Sequence, residues 1–157
     1  MNGPSPIRRS KSQGGNVMIE FALGSILLVT MFTGSFQYAY SFYQYNTLEN
    51  SVRAAAQFAQ QAAYGSATTD PPSCYSTPIK NIIIYGDPNV SSGTPLLPGL
   101  GTGNISVTMT FASGAPSSVT VEINSYTLNA IMGSTTLTNK PQVTMPYIGR
   151  WSPAGGC

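Results

Sequence analysis

Phe21-Ala22-Leu23-Gly24-Ser25-Ile26-Leu27-Leu28-Val29-Thr30-Met31-Phe32 is the stretch on which the reading of this chain turns. It opens a run, residues 21–48, that contains no charged residue, and Phe36, Tyr38, Tyr40, Phe42, Tyr43 and Tyr45 crowd its later half. About 20 apolar residues cross a bilayer as a helix, so residues 21–43 are expected to span one. The tyrosines at the end of the span match the aromatic belt of a membrane interface. Upstream lie Arg8, Arg9 and Lys11; downstream, Glu49 precedes Arg53. The positive-inside rule then puts the N-terminus in the cytoplasm and everything after the span outside. Residues 1–15 are basic and rich in Gly, Pro and Ser, which reads as a leader without a folded element of its own.

Composition narrows the chemistry. Charged residues are 8% of the chain, against about 25% in ordinary soluble domains. There is no histidine, and the five acids (Glu20, Glu49, Asp70, Asp87 and Glu122) are scattered, no two within one helical turn. Catalytic triads and zinc sites need His or Cys clusters that are missing here, so no catalytic residue, metal or cofactor is expected. A formal charge of +2 is too small for a nucleic-acid footprint. Three of the seven cations sit in the first fifteen residues; the remainder carries four cations against five acids, a net of −1.

The N-terminal segment allows three readings. A cleaved secretory signal has a shorter apolar core ending in an A-x-A-like site. A simple signal anchor satisfies the length argument. The third reading turns on Glu20, a carboxylate at the mouth of the apolar helix, where ionised groups are expensive and usually functional. The plain alternative for Glu20 is a place at headgroup level, beside the positive end of the helix.

The sequence Arg8-Arg9-Ser10-Lys11-Ser12-Gln13-Gly14-Gly15-Asn16-Val17-Met18-Ile19-Glu20-Phe21 resembles the leader and processing site of type IV pilin-like proteins. These are cut on the cytoplasmic side after a glycine and carry a glutamate at the fifth mature position. A cut after Gly15 makes Asn16 the first mature residue and Glu20 the fifth; a cut after Gly14 would make it the sixth. Glutamate followed by an aromatic looks most like the Tad, or Flp, branch, while Asn16 departs from the phenylalanine common at that position elsewhere. A free α-amino group and a carboxylate are each costly in a lipid or filament interior. Paired between neighbouring subunits they offset one another and set axial register, which makes Glu20 the candidate assembly contact.

Beyond the span, Tyr45, Leu48, Val52, Ala55, Ala59 and Ala62 recur at spacings of 3 and 4, one apolar stripe of heptad-like period. Glu49 and Arg53 stand four apart in the favourable order. A helix from about Val17 to Tyr64, stopped by Gly65, would be about 72 Å long at 1.5 Å per residue; the alternative is two helices broken near Gly34-Ser35. The stripe is expected to pack helix on helix, with Leu48, Val52, Ala55 and Ala59 at its centre, the outer half facing the chain's own sheet and the membrane half facing other subunits. Glu20-Phe21-Ala22-Leu23 together with Leu48-Glu49-Asn50-Ser51-Val52-Arg53-Ala54-Ala55-Ala56 is similar to the N-terminal region of TadE/TadG-like proteins. That resemblance covers residues 15–63 well and implies a minor pilin, or pseudopilin, of the Tad pilus and secretion apparatus. It implies as partners a prepilin peptidase, an inner-membrane assembly platform and other pilin subunits. The expected course is from the bacterial inner membrane, as precursor, to a surface pilus.

After Gly65 the composition shifts to Pro, Ser, Thr and Gly. Strands are expected at Lys80–Tyr85, Asn104–Phe111, Ser118–Leu128 and, at an edge because of Pro146, Pro141–Ile148. The segment Ala112–Ser117 reads as a hairpin loop, and Gly99–Gly103, with no following lysine or helix, as a flexible loop rather than a phosphate loop. One-sided alternation predicts a sheet wet on one face and covered by the helix on the other, an α+β fold with a long N-terminal helix on a small antiparallel sheet. The division expected is a leader at 1–15, a helix at 16–64 and an extracytoplasmic sheet domain at 65–157. Cys74 and Cys157 are expected to form a disulfide outside the membrane, closing a loop worth about 4 kcal/mol by chain entropy; free thiols and crosslinks between subunits are the alternatives. Trp151, Arg150, Tyr147 and Tyr126 read as an adhesive patch or, more commonly, as core with a solvated neighbour. A structural subunit is the leading expectation, and a membrane-anchored binding domain that never polymerises is the alternative.

Overall fold

The computed structural model describes residues 14–130 and 133–153. Helix α1, Gly14–Gln61, runs through Gly34-Ser35 without a break. By compactness the chain divides into the units Met1–Tyr38 and Ala39–Cys157. The second unit holds helix α2 (Ser73–Tyr85) and strands β1 (Ile105–Ala112), β2 (Ala115–Ile123), β3 (Ser125–Ala130), β4 (Gly133–Thr138) and β5 (Gln142–Pro146). β1, β2 and β5 form one antiparallel sheet in the order β1-β2-β5, and β3 and β4 form a separate two-stranded ribbon. The architecture is α+β, with a long N-terminal helix and small antiparallel sheets.

One core fills the second unit. Leu48, Val52, Ala55, Ala56 and Ala59 of α1 are fully buried in it, together with Tyr75, Ile79 and Ile83 of α2 and the inward set Ile105, Val107, Met109, Val119, Val121 and Ile123 of the sheet. The strict alternation along β1 and β2 gives the sheet a wet face of Thr108, Thr110 and Thr120, where Thr120 and Thr144 hydroxyls meet at 2.9 Å.

The region Lys80–Tyr85 is not a strand. It is the second half of α2, which Pro72 starts and Gly86 stops in a left-handed conformation, its N–H returning to Ile82 O at 2.9 Å. The three consecutive isoleucines favour a strand locally. Helical spacing from Tyr75 through Ile79 to Ile82 and Ile83 buries more of them at once, and packing overrides propensity. Pro78 sits inside this helix and contributes no N–H to it.

The span Ser118–Leu128 is two strands. Inward residues fall at Val119, Val121 and Ile123 and then at Tyr126 and Leu128, a one-residue slip of phase at Asn124. There the chain leaves one sheet for the other, with Asn124 N–H donating to Asn104 O at 2.8 Å. The expected six-residue loop contracts to Ser113-Gly114, both with positive φ (52° and 82°), the requirement of a tight type I′ hairpin. β5 lies at the sheet edge. Its bonds to β2 use odd-numbered positions (Ile123 N–H to Pro141 O, 3.1 Å; Tyr147 N–H to Ser117 O, 2.9 Å). The nitrogen of Pro146 therefore points away from the ladder and costs it nothing.

The helix ends at Gln61, before Gly65, because its last carbonyls are claimed from elsewhere. Ala59 O accepts from Tyr75 Oη at 2.6 Å, and Gln60 O accepts from Ile148 N–H at 2.9 Å. Tyr64 N–H turns instead to Arg150 O at 2.8 Å, and Tyr64 pairs in parallel with Trp151. Tyr64 also packs edge-on against Tyr75 with ring centres 5.0 Å apart. The tail crosses the helix end at Gly149, where an added Cβ would lie 2.5 Å from Ala62 O and 2.7 Å from Tyr147 Oη.

Gly149→Ala is expected to lower stability by about 1–3 kcal/mol, since neither the backbone oxygen nor the hydrogen-bonded phenol has room to move. Gly103→Ala, which adds a methyl to open space, is the control, and thermal unfolding of the detergent-solubilised chain reads both. Burial pushes the phenols of Tyr64, Tyr75, Tyr126 and Tyr147 above the ordinary tyrosine value. The folded state thus holds protons that the unfolded state releases. Their contribution is intact below about pH 10 and is lost as pH rises beyond it. Melting followed by circular dichroism should show a flat profile to about pH 9 and a fall above about pH 10.

Candidate assembly interface

The first compact unit is helix surface. From Val17 to Phe32, eleven large apolar side chains are 60–74% exposed, with Phe21 and Met18 at the upper end. None of the most apolar eighteen-residue window, of mean hydropathy 1.9, is buried within the chain, and the helix is long and apolar enough to cross a membrane. Three of its hydroxyls bond to their own helix. Ser25 donates to Phe21 O (2.7 Å), Thr30 to Ile26 O (2.8 Å) and Ser35 to Met31 O (3.0 Å). Each thereby meets its own polar demand within the helix, as an apolar surrounding requires.

Glu20 stands alone against this background. It is exposed on α1, and among the described residues no cation pairs with it; the ion pair present is Arg53 Nη2 to Glu49 Oε1 at 3.0 Å. Asn16 lies four residues earlier and so shares the face of Glu20, one turn away. Gly15 and Asn16 are both exposed, and nothing approaches within 4 Å of the place where a Cβ on Gly15 would stand. The backbone at this bond is open to a protein that would act on it.

The stripe beyond the span lies in different surroundings. Leu48, Val52, Ala55 and Ala59 are buried at 0% exposure within the chain's own core. The helical surface left without cover is that from Val17 to Tyr43. One polar residue of the inward face escaped the sequence reading. Gln44, 3% exposed, donates from Nε2 to Asn129 O at 3.4 Å, and its Oε1 has no partner among the described residues. Only the i+4 relation of Gln44 to Leu48 signals its burial.

The remaining candidates are dispersed. Cys74 lies in α2, and Cys157 lies outside the described residues, as do Arg8, Arg9 and Lys11. Tyr126 is buried and donates to Pro98 O at 2.9 Å, Trp151 donates from Nε1 to Ser66 O at 2.9 Å and stacks edge-on with Phe111, and Tyr147 packs on Tyr64. Each is engaged in holding the fold, although Trp151 and its neighbour Arg150 stay exposed. Among the described residues no group of three or more His, Cys, Asp or Glu side chains is placed to hold a metal.

No curated protein and no solved structure matches the chain. The family comparison falls on the helix just described, from the expected scissile glycine to the buried stripe: residues 15–57 match the family model described as TadE-like protein.

Proposed function

We propose that the chain is a structural subunit, a minor pilin or pseudopilin of a Tad-type pilus or related secretion apparatus. It is made as a membrane-inserted precursor with its N-terminus in the cytoplasm. Prepilin peptidase removes residues 1–15 at Gly15-Asn16. The freed helix then packs with the helices of other subunits, on an inner-membrane assembly platform and afterwards in a surface filament, with the sheet domain outside. The role needs no catalytic group and no cofactor.

The observation that carries this reading is the uncovered apolar helix with one carboxylate, Glu20, unpaired among the described residues. Eleven large apolar side chains, at about 2 kcal/mol each, leave on the order of 20 kcal/mol of burial to be supplied from outside the chain. Lipid supplies it before assembly, and neighbouring helices supply it afterwards. Lipid has no use for Glu20, whereas a bundle whose members each begin with a free α-amino group does. Cutting at Gly15 creates that amine one turn from the carboxylate, ready for the Glu20 of a neighbour.

A second reading is favoured by the self-contained core of the unit beginning at Ala39. A domain that buries its own apolar stripe can stand alone on a membrane anchor and bind a partner without polymerising. The mass of the native chain separates the two. The pilin reading expects a chain that begins at Asn16 and is lighter by two hydrogens for a Cys74–Cys157 bridge. A chain that keeps residues 1–15 belongs to the anchored binding domain.

Glu20→Ala is expected to leave the melting of the folded domain unchanged. It should cut incorporation into filaments by more than about a hundredfold, from the roughly 3–5 kcal/mol that stranding one partner of a buried pair costs. Quantifying the variant in sheared filaments against the cell-associated pool measures this, and equal incorporation removes Glu20 from the assembly contact.

A further inference from the structure

Between α1 and the open edge of β5 lies a groove of about 300 Å³. Tyr45, Glu49 and Arg53, one turn apart along the helix, form one wall, and Lys140, Gln142 and Val143 form the other. Two of the four cations among the described residues converge here, although they are far apart in sequence. Arg53, 58% exposed, uses one nitrogen on Glu49, which leaves most of its five N–H donors for another acceptor. Lys140 Nζ has no hydrogen-bond or ion-pair partner among the described residues. The net charge of the wall is +1, in a chain whose residues after the leader sum to −1.

The groove also has a definite position along α1. Tyr45 is two residues past Tyr43, the end of the expected span, and the Arg53 guanidinium is drawn back one turn to Glu49, six residues past that end and about 9 Å along a helix. A tyrosine with two cations just above it is the composition of the headgroup layer. We infer that this groove binds the phosphate of an anionic phospholipid of the outer leaflet, with Arg53 and Lys140 as donors on either side and Tyr45 at the acyl boundary. The contact would hold the second unit to the membrane surface while the chain waits in the bilayer. It would be given up when the helix leaves lipid for a polymer.

This rests on the membrane-anchored precursor of the preceding reading and not on polymerisation. It is therefore tested on the uncleaved full chain in lipid discs, where a failure to polymerise leaves it untouched. The rate at which an amine-reactive reagent modifies Lys140 is read by peptide mass spectrometry, with Lys80 as internal reference. Discs of phosphatidylcholine are compared with discs containing phosphatidylglycerol. Labelling of Lys140 relative to Lys80 should slow by about fivefold in the anionic discs, as expected for one cation held at an anionic surface. The double variant Arg53→Gln with Glu49→Gln keeps the net charge and should abolish the protection. Equal labelling in the two discs overturns the proposal. Protection that survives in the double variant overturns it too, because a general surface potential then accounts for the effect. Protection by inorganic phosphate in phosphatidylcholine discs would replace the lipid with a soluble anion and likewise defeat it.

Discussion

A helix whose first half finds no cover in its own chain must be held by its second half, and the closure of its C-terminal end is the constraint on which the rest depends. An α-helix ends with carbonyls that have no partner within it. Here Tyr75 of α2 and Ile148 of the tail claim two of them, Ala59 O and Gln60 O. Tyr147 Oη lies 2.9 Å from the next, Ala62 O. Residues from three parts of the chain thus meet at one helix end, around the aromatic contacts of Tyr64 with Tyr75, Phe111 and Tyr147. The crossing at Gly149 is what lets them come so close. A pull along the helix would be carried into the domain through these bonds, as well as through the buried face from Leu48 to Ala59.

The same helix answers to two environments, and its side chains divide accordingly. Before Tyr43 its large residues are exposed, and the hydroxyls of Ser25, Thr30 and Ser35 are bonded to their own backbone. After Gln44 its inward residues shrink to Leu, Val and Ala and are fully buried. Small residues let strands and α2 approach closely, while the uncovered aromatic and aliphatic surface suits lipid or other helices. Where such a surface is covered by lipid or by other helices, a single carboxylate on it carries more weight than any acid facing water.

Gly15, Asn16 and Glu20, the residues proposed for processing and assembly, come from a count of five; the long helix and its buried stripe lay open to sequence reading through length and through spacings of 3 and 4. The groove did not, since Arg53 and Lys140 come together only through the packing of β5 beside α1. The burial of Gln44 escaped for a like reason, because a polar residue in an apolar face gives no periodic signal of its own. The strand β4 also escaped. Gly133-Ser134-Thr135-Thr136-Leu137-Thr138 has no apolar alternation, and it forms a strand because β3 offers it a ladder.

The sequence by itself determined the long helix, the β1–β2 hairpin and the edge position of β5. Each of these follows from a period, a length or a proline that acts through neighbours in the chain. Tertiary structure alone decided that Ile82-Ile83-Ile84 would be helical, that the strand pattern after Asn124 would pass to a second sheet, and that α1 would stop at Gln61. In each case the local preference was weak or contrary. The outcome was set by which distant groups buried those side chains and satisfied those backbone carbonyls.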